Sequence, residues 1–437
     1  MPPVYSATPT ACRARGDGYA GSVSVPEQTV PALTVSTVAI DDVESTLELL
    51  PPRRQLLWLR RGDGMAGFGE AARLEFSGPT RMTDAAAAWR RVAAAASVED
   101  GIGVPGSGLI AFGAFAFSDH SPATSVLVVP SVVLGRRNGR AWLTRIRAGN
   151  DIDAPVPSTR SAVHSAPVAF TAGALPPDAF LAAVDAALNR IDGVGLSKVV
   201  LAREIVGRLT GPADTAAVLS ALATGYPDCW TFAVDDFLGS SPETLVAVTK
   251  RTVTARVLAG SAARGTDAAT DQQASLALAT SAKDQDEHQY AVQSVLAALR
   301  PHSPGVTSSE QPFTLRLPNL WHLASDVEGT VADGSSSLDL IDALHPTAAV
   351  AGTPTPAAVA LIEELEPFDR GRYAGPVGWV GGDGDGEWAI ALRCCQVEPD
   401  GTVRAYAGAG IVAESVAEHE LAETSLKFRP IVEAFAG

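Results

Sequence analysis

Short apolar runs separated by turn residues fill the first half of the chain. LLWL, GSGLIAFGAFAF, SVLVVPSVVLG and AWLTRIRA lie between Gly, Pro, Ser and Asn, the punctuation expected of strands. One Ala-rich helix, Asp84–Ala96, sits among them. In the second half, Pro177–Ile191 places Phe180, Leu181, Val184, Leu188 and Ile191 on one helical face. The β-branched Lys198–Leu209 and the run Cys229–Asp235 read as strands. Gly239–Val248 reads as a turn, GSSPE, entering the strand TLVAV. Ala268–Arg300 holds no proline and is rich in Ala, Gln and Leu, which predicts one helix through SAKDQDEHQYAVQSVLAAL. A turn-rich GRYAGPVGWVGGDGDGEW follows, then the strand WAIALRCCQV, a turn at GAG, and a last helix from about Val416 to Phe435.

Strands and helices come in clusters with hairpin-like spacing, and no segment repeats at a fixed period. This predicts an α+β fold with large antiparallel β-sheets, not a doubly wound parallel sheet. Residues 1–44 lack periodicity and predict an irregular lead-in, and residues 45–437 are expected to form a single domain. Asp151–Pro167 reads as a surface connection. With 46% hydrophobic and 19% charged residues, the chain can bury a sizeable core. Its net charge of -16 repels phosphate backbones and anionic bilayers, so neither nucleic acid nor membrane is an expected partner. The longest apolar runs, such as Gly108–Phe117, reach half of the ~20 residues a span needs. The N-terminus carries no secretory pattern, and Cys12, Cys229, Cys394 and Cys395 form no CxxC motif. Reduced thiols and a cytoplasmic location are expected.

Candidate chemistry begins with two acid pairs. Asp284 and Glu287, and again Glu420 and Glu423, stand three residues apart on expected helices. Each pair then shares a face at about 5–6 Å between Cβ atoms, where like charges mildly destabilise a helix. A hard divalent cation such as Mg²⁺, which takes oxygen ligands, would offset that cost. Solvated faces of an acidic protein are the alternative. Lys427 follows Glu423 by four residues on the same face and could meet a substrate carboxylate. Lys198 opens an apolar strand; a lysine carried into an apolar site moves toward the range of a general base, whereas one reaching solvent does not. Glu243, stiffened by Pro242 in the GSSPE turn, would become a general acid in a partly apolar pocket. GAG (Gly408–Gly410) lacks the dinucleotide fingerprint, and GGDGDGE (Gly381–Glu387) lacks the register of a calcium loop and reads as a hairpin turn. His288 is expected on the helix surface or just behind a site, and His322 as a site residue.

Ten segments in order resemble the chorismate-utilising enzymes, and among them the isochorismate synthases. They are KVVLAR, GSSPETLV, LAGSAAR, SAKDQDEHQ, WHL, HPTAAVAGTP, FDRGRYAGPVGW, AIALR, YAGAGIV and EHELAETSLK, from Lys198 to Lys427. The resemblance implies a fold of two large antiparallel sheets packed together with helices outside, and a single chorismate-binding catalytic domain. It also implies a Mg²⁺-dependent isomerase that adds water at C2 of chorismate and expels the C4 hydroxyl, for menaquinone or siderophore biosynthesis. Lys198 matches the family's general base and Glu243 its general acid. Glu287 and Glu423 match the Mg²⁺ ligands, with Asp284 and Glu420 holding metal-bound waters. Tyr373, Arg393 and Lys427 match positions that grip substrate carboxylates. Gly260, Ser261, Gly408 and Gly410 allow close backbone approach, and His322, Ala349 and Leu392 complete the expected substrate surface. Lys198 favours water over ammonia as nucleophile, and the inhibitor motif of anthranilate synthases is absent. Ala349 resembles the isochorismate synthases, while Leu392 resembles lyase-type relatives that go on to eliminate pyruvate and form salicylate. An amidotransferase-dependent subunit and a non-catalytic chorismate binder remain further alternatives. The resemblance suggests a monomer with chorismate as its partner and without an amidotransferase subunit.

Overall fold

The computed structural model describes residues 32–436 apart from 42–45, 150–153, 156–157, 159–166, 192–194, 210–213 and 317–319. Most of the expected Asp151–Pro167 connection and residues 1–31 of the expected lead-in lie outside the described residues. The fold is α+β: a 13-stranded sheet, a 10-stranded sheet and eight α-helices among the described residues. Pairing is antiparallel in both sheets except where Leu33–Ile40 lies parallel to Ser97–Asp100. Leu33–Ile40 is a correction to the irregular lead-in, since it forms a regular strand of the larger sheet. Leu33, Val35 and Thr37 alternate inward against exposed neighbours, the period-two signal of a half-buried strand. Proline-rich surroundings masked that short pattern.

The two sheets are tied through a buried carboxylate. Glu387 Oε2, in the smaller sheet, accepts from the indole N–H of Trp58 at 2.9 Å and of Trp379 at 3.2 Å. Arg137 donates to its Oε1 at 2.8 Å. Trp58 and Arg137 belong to the larger sheet, so one satisfied acid fixes how the layers meet.

Two segments, one expected as a strand and one as a turn entering a strand, prove to be crossings between the sheets. WAIALRCCQV splits into Gly386–Ile390, in the smaller sheet, and Cys394–Val397, in the larger. GSSPETLV splits likewise into Phe237–Ser241 and Thr244–Thr249, so the GSS expected in a turn is strand. The two crossings run side by side. Ser240 N donates to Arg393 O at 3.1 Å, and Ile390 N donates to Glu243 O at 3.1 Å. Arg393 pays for the corner with φ of 48°, in the left-handed region.

The helix expected over 268–300 is two, Ala268–Thr280 and Ala282–Leu299. Ser281 breaks it: its hydroxyl accepts from Asp284 N at 3.2 Å, a cap that competes with helical continuation. The expected GAG turn lies inside the strand Thr402–Ile411, while GGDGDGE does turn a hairpin between Pro376–Gly381 and Gly386–Ile390. The last helix, Ala417–Ala434, packs on Thr402–Ile411.

Candidate active site

One cavity of about 270 Å³ opens where the sheet crossings, the strand Lys198–Arg208 and the helices Ala282–Leu299 and Ala417–Ala434 converge. That size is near the lower end for small-molecule sites. All sixteen residues singled out from the sequence line it: Lys198, Glu243, Gly260, Ser261, Asp284, Glu287, His322, Ala349, Tyr373, Leu392, Arg393, Gly408, Gly410, Glu420, Glu423 and Lys427.

The crossings supply Glu243, Leu392 and Arg393. A strand end that leaves its sheet frees side chains to point into the gap between layers, which regular pairing would not. Glu243 is 7% exposed, and burial pushes its carboxyl up to about 7 even though Arg393, Lys198 and Lys427 pull it down. A carboxyl poised there can hold or give a proton at neutral pH.

Lys198 stands at the first position of its strand, its ammonium 2.6 Å from Glu287 Oε1. The wholly apolar surroundings considered for it are therefore not found; it faces an acid. Gly410 makes room for it, since a Cβ there would lie 3.0 Å from Lys198 Cε. A Cβ at Gly408 would lie 3.0 Å from the Tyr373 hydroxyl, so both glycines inside the strand admit a neighbour's side chain. Tyr373 is buried and stacked on Tyr406 with ring centroids 5.3 Å apart, and burial raises its phenol well above the usual range.

The members of each helix pair share one face, as their spacing predicts, and both faces line the cavity. Glu423 accepts from Lys427 Nζ at 2.5 Å, and Lys427 also donates to Gly408 O at 2.8 Å. Burial lowers the Lys427 ammonium, partly offset by Glu423. Burial raises the Glu423 carboxyl, but Lys427 and Arg393 outweigh it and leave it below the ordinary value. Glu420 rises through burial and its neighbour Glu423. Gly260, at φ of +80°, forms a bulge that would bring a Cβ within 3.3 Å of Asp284. Ser261 is in register with His322 across the sheet. Burial, Arg393 and Lys427 pull His322 down to about 3, so the imidazole is neutral, and its Nε2 is buried with no protein partner.

Among the described residues no three Asp, Glu, His or Cys side chains are gathered tightly enough to enclose an ion. Glu287 and Glu423 are each drawn to a lysine instead. The donor set still fits Mg²⁺, because four carboxylates line one cavity and this ion binds through one or two of them, completing its shell with water and substrate oxygens.

His288 corrects the surface reading: it is buried in the layer behind the site. Burial lowers its imidazole, so the neutral ring donates from Nδ1 to Ala259 O at 3.1 Å and accepts at Nε2 from Ser325 Oγ at 2.8 Å. That holds the carbonyl before Gly260. Among the lining residues not foreseen, the exposed Lys283 and Glu414 pair at 3.5 Å at the rim. Lys283 lies in SAKDQDEHQ beside Asp284, but nothing local in sequence names its partner. Also unforeseen is the buried pair Arg370–Glu366. Arg370 donates to Val350 O at 2.9 Å and Val200 O at 2.7 Å, and Glu366 accepts from Ala202 N at 2.7 Å. This pair pins the loop of Ala349 to the strand of Lys198.

The family model described as chorismate binding enzyme matches residues 31–436. Isochorismate synthase DhbC of Bacillus subtilis (strain 168) is 41% identical over 270 residues, 59% of this chain and 68% of that protein. Isochorismate synthase EntC of Escherichia coli (strain K12) is 36% identical over 245 residues, 55% of this chain and 62% of that protein. The structure of MenF, the menaquinone-specific isochorismate synthase from Escherichia coli, superposes with a TM-score of 0.76 at 25% identity, covering 93% of this chain and 95% of that one.

Proposed function

We propose that this chain, which belongs to the chorismate-binding enzyme family, converts chorismate to isochorismate. The observation that carries the reading is the meeting of a buried acid near neutrality, Glu243, with Lys198, Arg393, Lys427 and four carboxylates in one cavity. Water added at C2 must lose a proton, and the hydroxyl leaving C4 must gain one. Lys198 takes the first, once its ammonium has shed its proton and parted from Glu287. Glu243 supplies the second from its protonated form. Arg393, with a planar fork suited to carboxylates, and Lys427 hold the substrate's acid groups, and Tyr373 borders the same space. Gly260, Ser261, Gly408 and Gly410 let backbone groups approach, and His322 offers a neutral ring nitrogen.

Mg²⁺ is the cofactor of this reading. Glu287 and Glu423 would hold it, with Asp284 and Glu420 acting through water, and when bound it supplies positive charge against a substrate carboxylate. The acidic chain thus handles a dianion by local charge. We place the enzyme in the cytoplasm as a monomer without an amidotransferase subunit. No helix among the described residues is long and apolar enough to cross a membrane.

The test is to incubate purified protein with chorismate and Mg²⁺ and separate the products by chromatography. Isochorismate supports the reading; no turnover, or turnover only with glutamine and a partner subunit, overturns it. Leu392, beside Arg393 in the cavity, favours a second reading in which bound isochorismate loses pyruvate, and salicylate with pyruvate as products would select it. Chelation with EDTA should abolish activity and Mg²⁺ restore it. Glu423→Gln should remove turnover while circular dichroism stays native, since a partly exposed helix position contributes little to the core. Full activity in that variant would remove the metal assignment.

A further inference from the structure

Glu243 and Ala349 line a second, much smaller cavity besides the main one. Its volume is about 20 Å³, room for one water and little else. Thr347, Ser294 and Arg256 also face it. Thr347 lines this cavity and not the main one, and its Oγ1 is buried without a protein partner. The lining is mainly apolar, but buried hydroxyls are almost always hydrogen-bonded, and a cavity of one water's size beside Thr347 Oγ1 can hold the missing partner. Arg256 is paired at 2.6 Å with Asp326, whose side chain is 54% exposed, so the far wall borders a charged pair that meets solvent.

The chemistry supplies a use for such a water. After each turnover proposed above, Lys198 has gained a proton and Glu243 has lost one, while one water has entered at C2 and one has formed from the C4 hydroxyl. Glu243 must regain its proton before it can act again. On the main-cavity side it faces Lys198, Arg393 and Lys427, in the space that the proposed reaction gives to substrate and product. It also lines the small cavity, whose lining includes Arg256.

We propose that Thr347 is a positioning residue whose hydroxyl holds a water against Glu243 in the small cavity, and that this water returns the proton to Glu243 by a route that does not cross the substrate. The proposal rests on the acid role assigned to Glu243. Thr347→Val removes the hydroxyl at nearly constant volume. It should lower kcat about tenfold, the worth of one hydrogen bond, with KM unchanged. The basic limb of the kcat–pH profile should move up, because the carboxylate loses a donor. Thr347→Ser should restore both. Ala291→Val, which keeps the hydroxyl but fills the cavity, should mimic Thr347→Val.

A readout without substrate separates this proposal from the assigned reaction. The protonated-carboxyl infrared band of Glu243, identified by its loss in Glu243→Gln, should shift in Thr347→Val as a hydrogen bond disappears. A shifted band in a protein whose wild type leaves chorismate unchanged would refute the reaction and leave the water in place. An unshifted band, or wild-type kcat and pH profile in Thr347→Val, would overturn the proposal.

Discussion

At the scale of single residues, the proposed reaction divides one proton exchange between Lys198 and Glu243, and burial holds the Glu243 carboxyl far above its ordinary value. Lys198→Ala and Glu243→Gln should each lower kcat by at least ~10²-fold with smaller changes in KM, measured by steady-state kinetics on chorismate. The double variant should fall well short of the product of the two, since both act on one step. Glu243 also carries a stability cost. Its carboxyl is raised from 4.5 to about 7 in the folded chain, so between those values the native state binds more protons than the unfolded one. Stability contributed by that proton is fully present below pH 4.5 and is lost as pH rises through about 7. Glu243→Gln, uncharged throughout, should therefore be more stable than wild type at pH 8, by up to about 3 kcal/mol, with the gain fading toward pH 4.5. Urea titrations at the two pH values measure it. Activity should decline above about pH 7 as the acid ionises.

At the scale of elements, helix ends decide where charges point. Ser281 starts the helix Ala282–Leu299, and Asp284 and Glu287 fall in its first two turns. Ser281→Ala should cost about 1 kcal/mol by thermal denaturation. It should also raise the Mg²⁺ concentration needed for half activity, because the first turn loosens; an unchanged requirement would mean that the cap serves the fold alone. The C-terminal helix is held at its own level. Arg203 donates to Thr424 Oγ1 and Ser425 Oγ, each at 2.8 Å, and lies over the ring of Phe428. Those contacts set the rotation at which Glu423 and Lys427 face the cavity. Spacing alone placed the acids on one face of each helix; it could not say that the two faces meet.

At the scale of the whole molecule, the site exists because two sheets stay in a fixed relation while adjacent segments of the chain cross between them. Glu387 is the clearest tie. Glu387→Ala leaves two indole N–H groups and Arg137 without their acceptor, and should cost about 3–5 kcal/mol, the range for removing one partner of a buried charge pair. A loss below about 1 kcal/mol in chemical denaturation would show that the layers are held by apolar packing instead.

Local pattern determined most of the elements and pointed to the side chains with candidate chemistry. The α+β class, the helix Pro177–Ile191, the hairpin at GGDGDGE and the chemistry-bearing Lys198, Glu243, Asp284, Glu287, His322, Glu420, Glu423 and Lys427 are legible in the chain, because helical and strand periods and short motifs are encoded within a few neighbours, whereas the other expected cavity residues come from the family resemblance. Tertiary structure alone decided that GSSPETLV and WAIALRCCQV change sheets, since a strand that leaves one sheet for another keeps the same local composition. It also decided that the glycines of GAG sit within a strand: the room they make is filled by Lys198 and Tyr373, far away in sequence. The near-neutral acidity of Glu243 has the same origin, for it comes from burial between layers and from cations on three other segments, which no window around Pro242 contains.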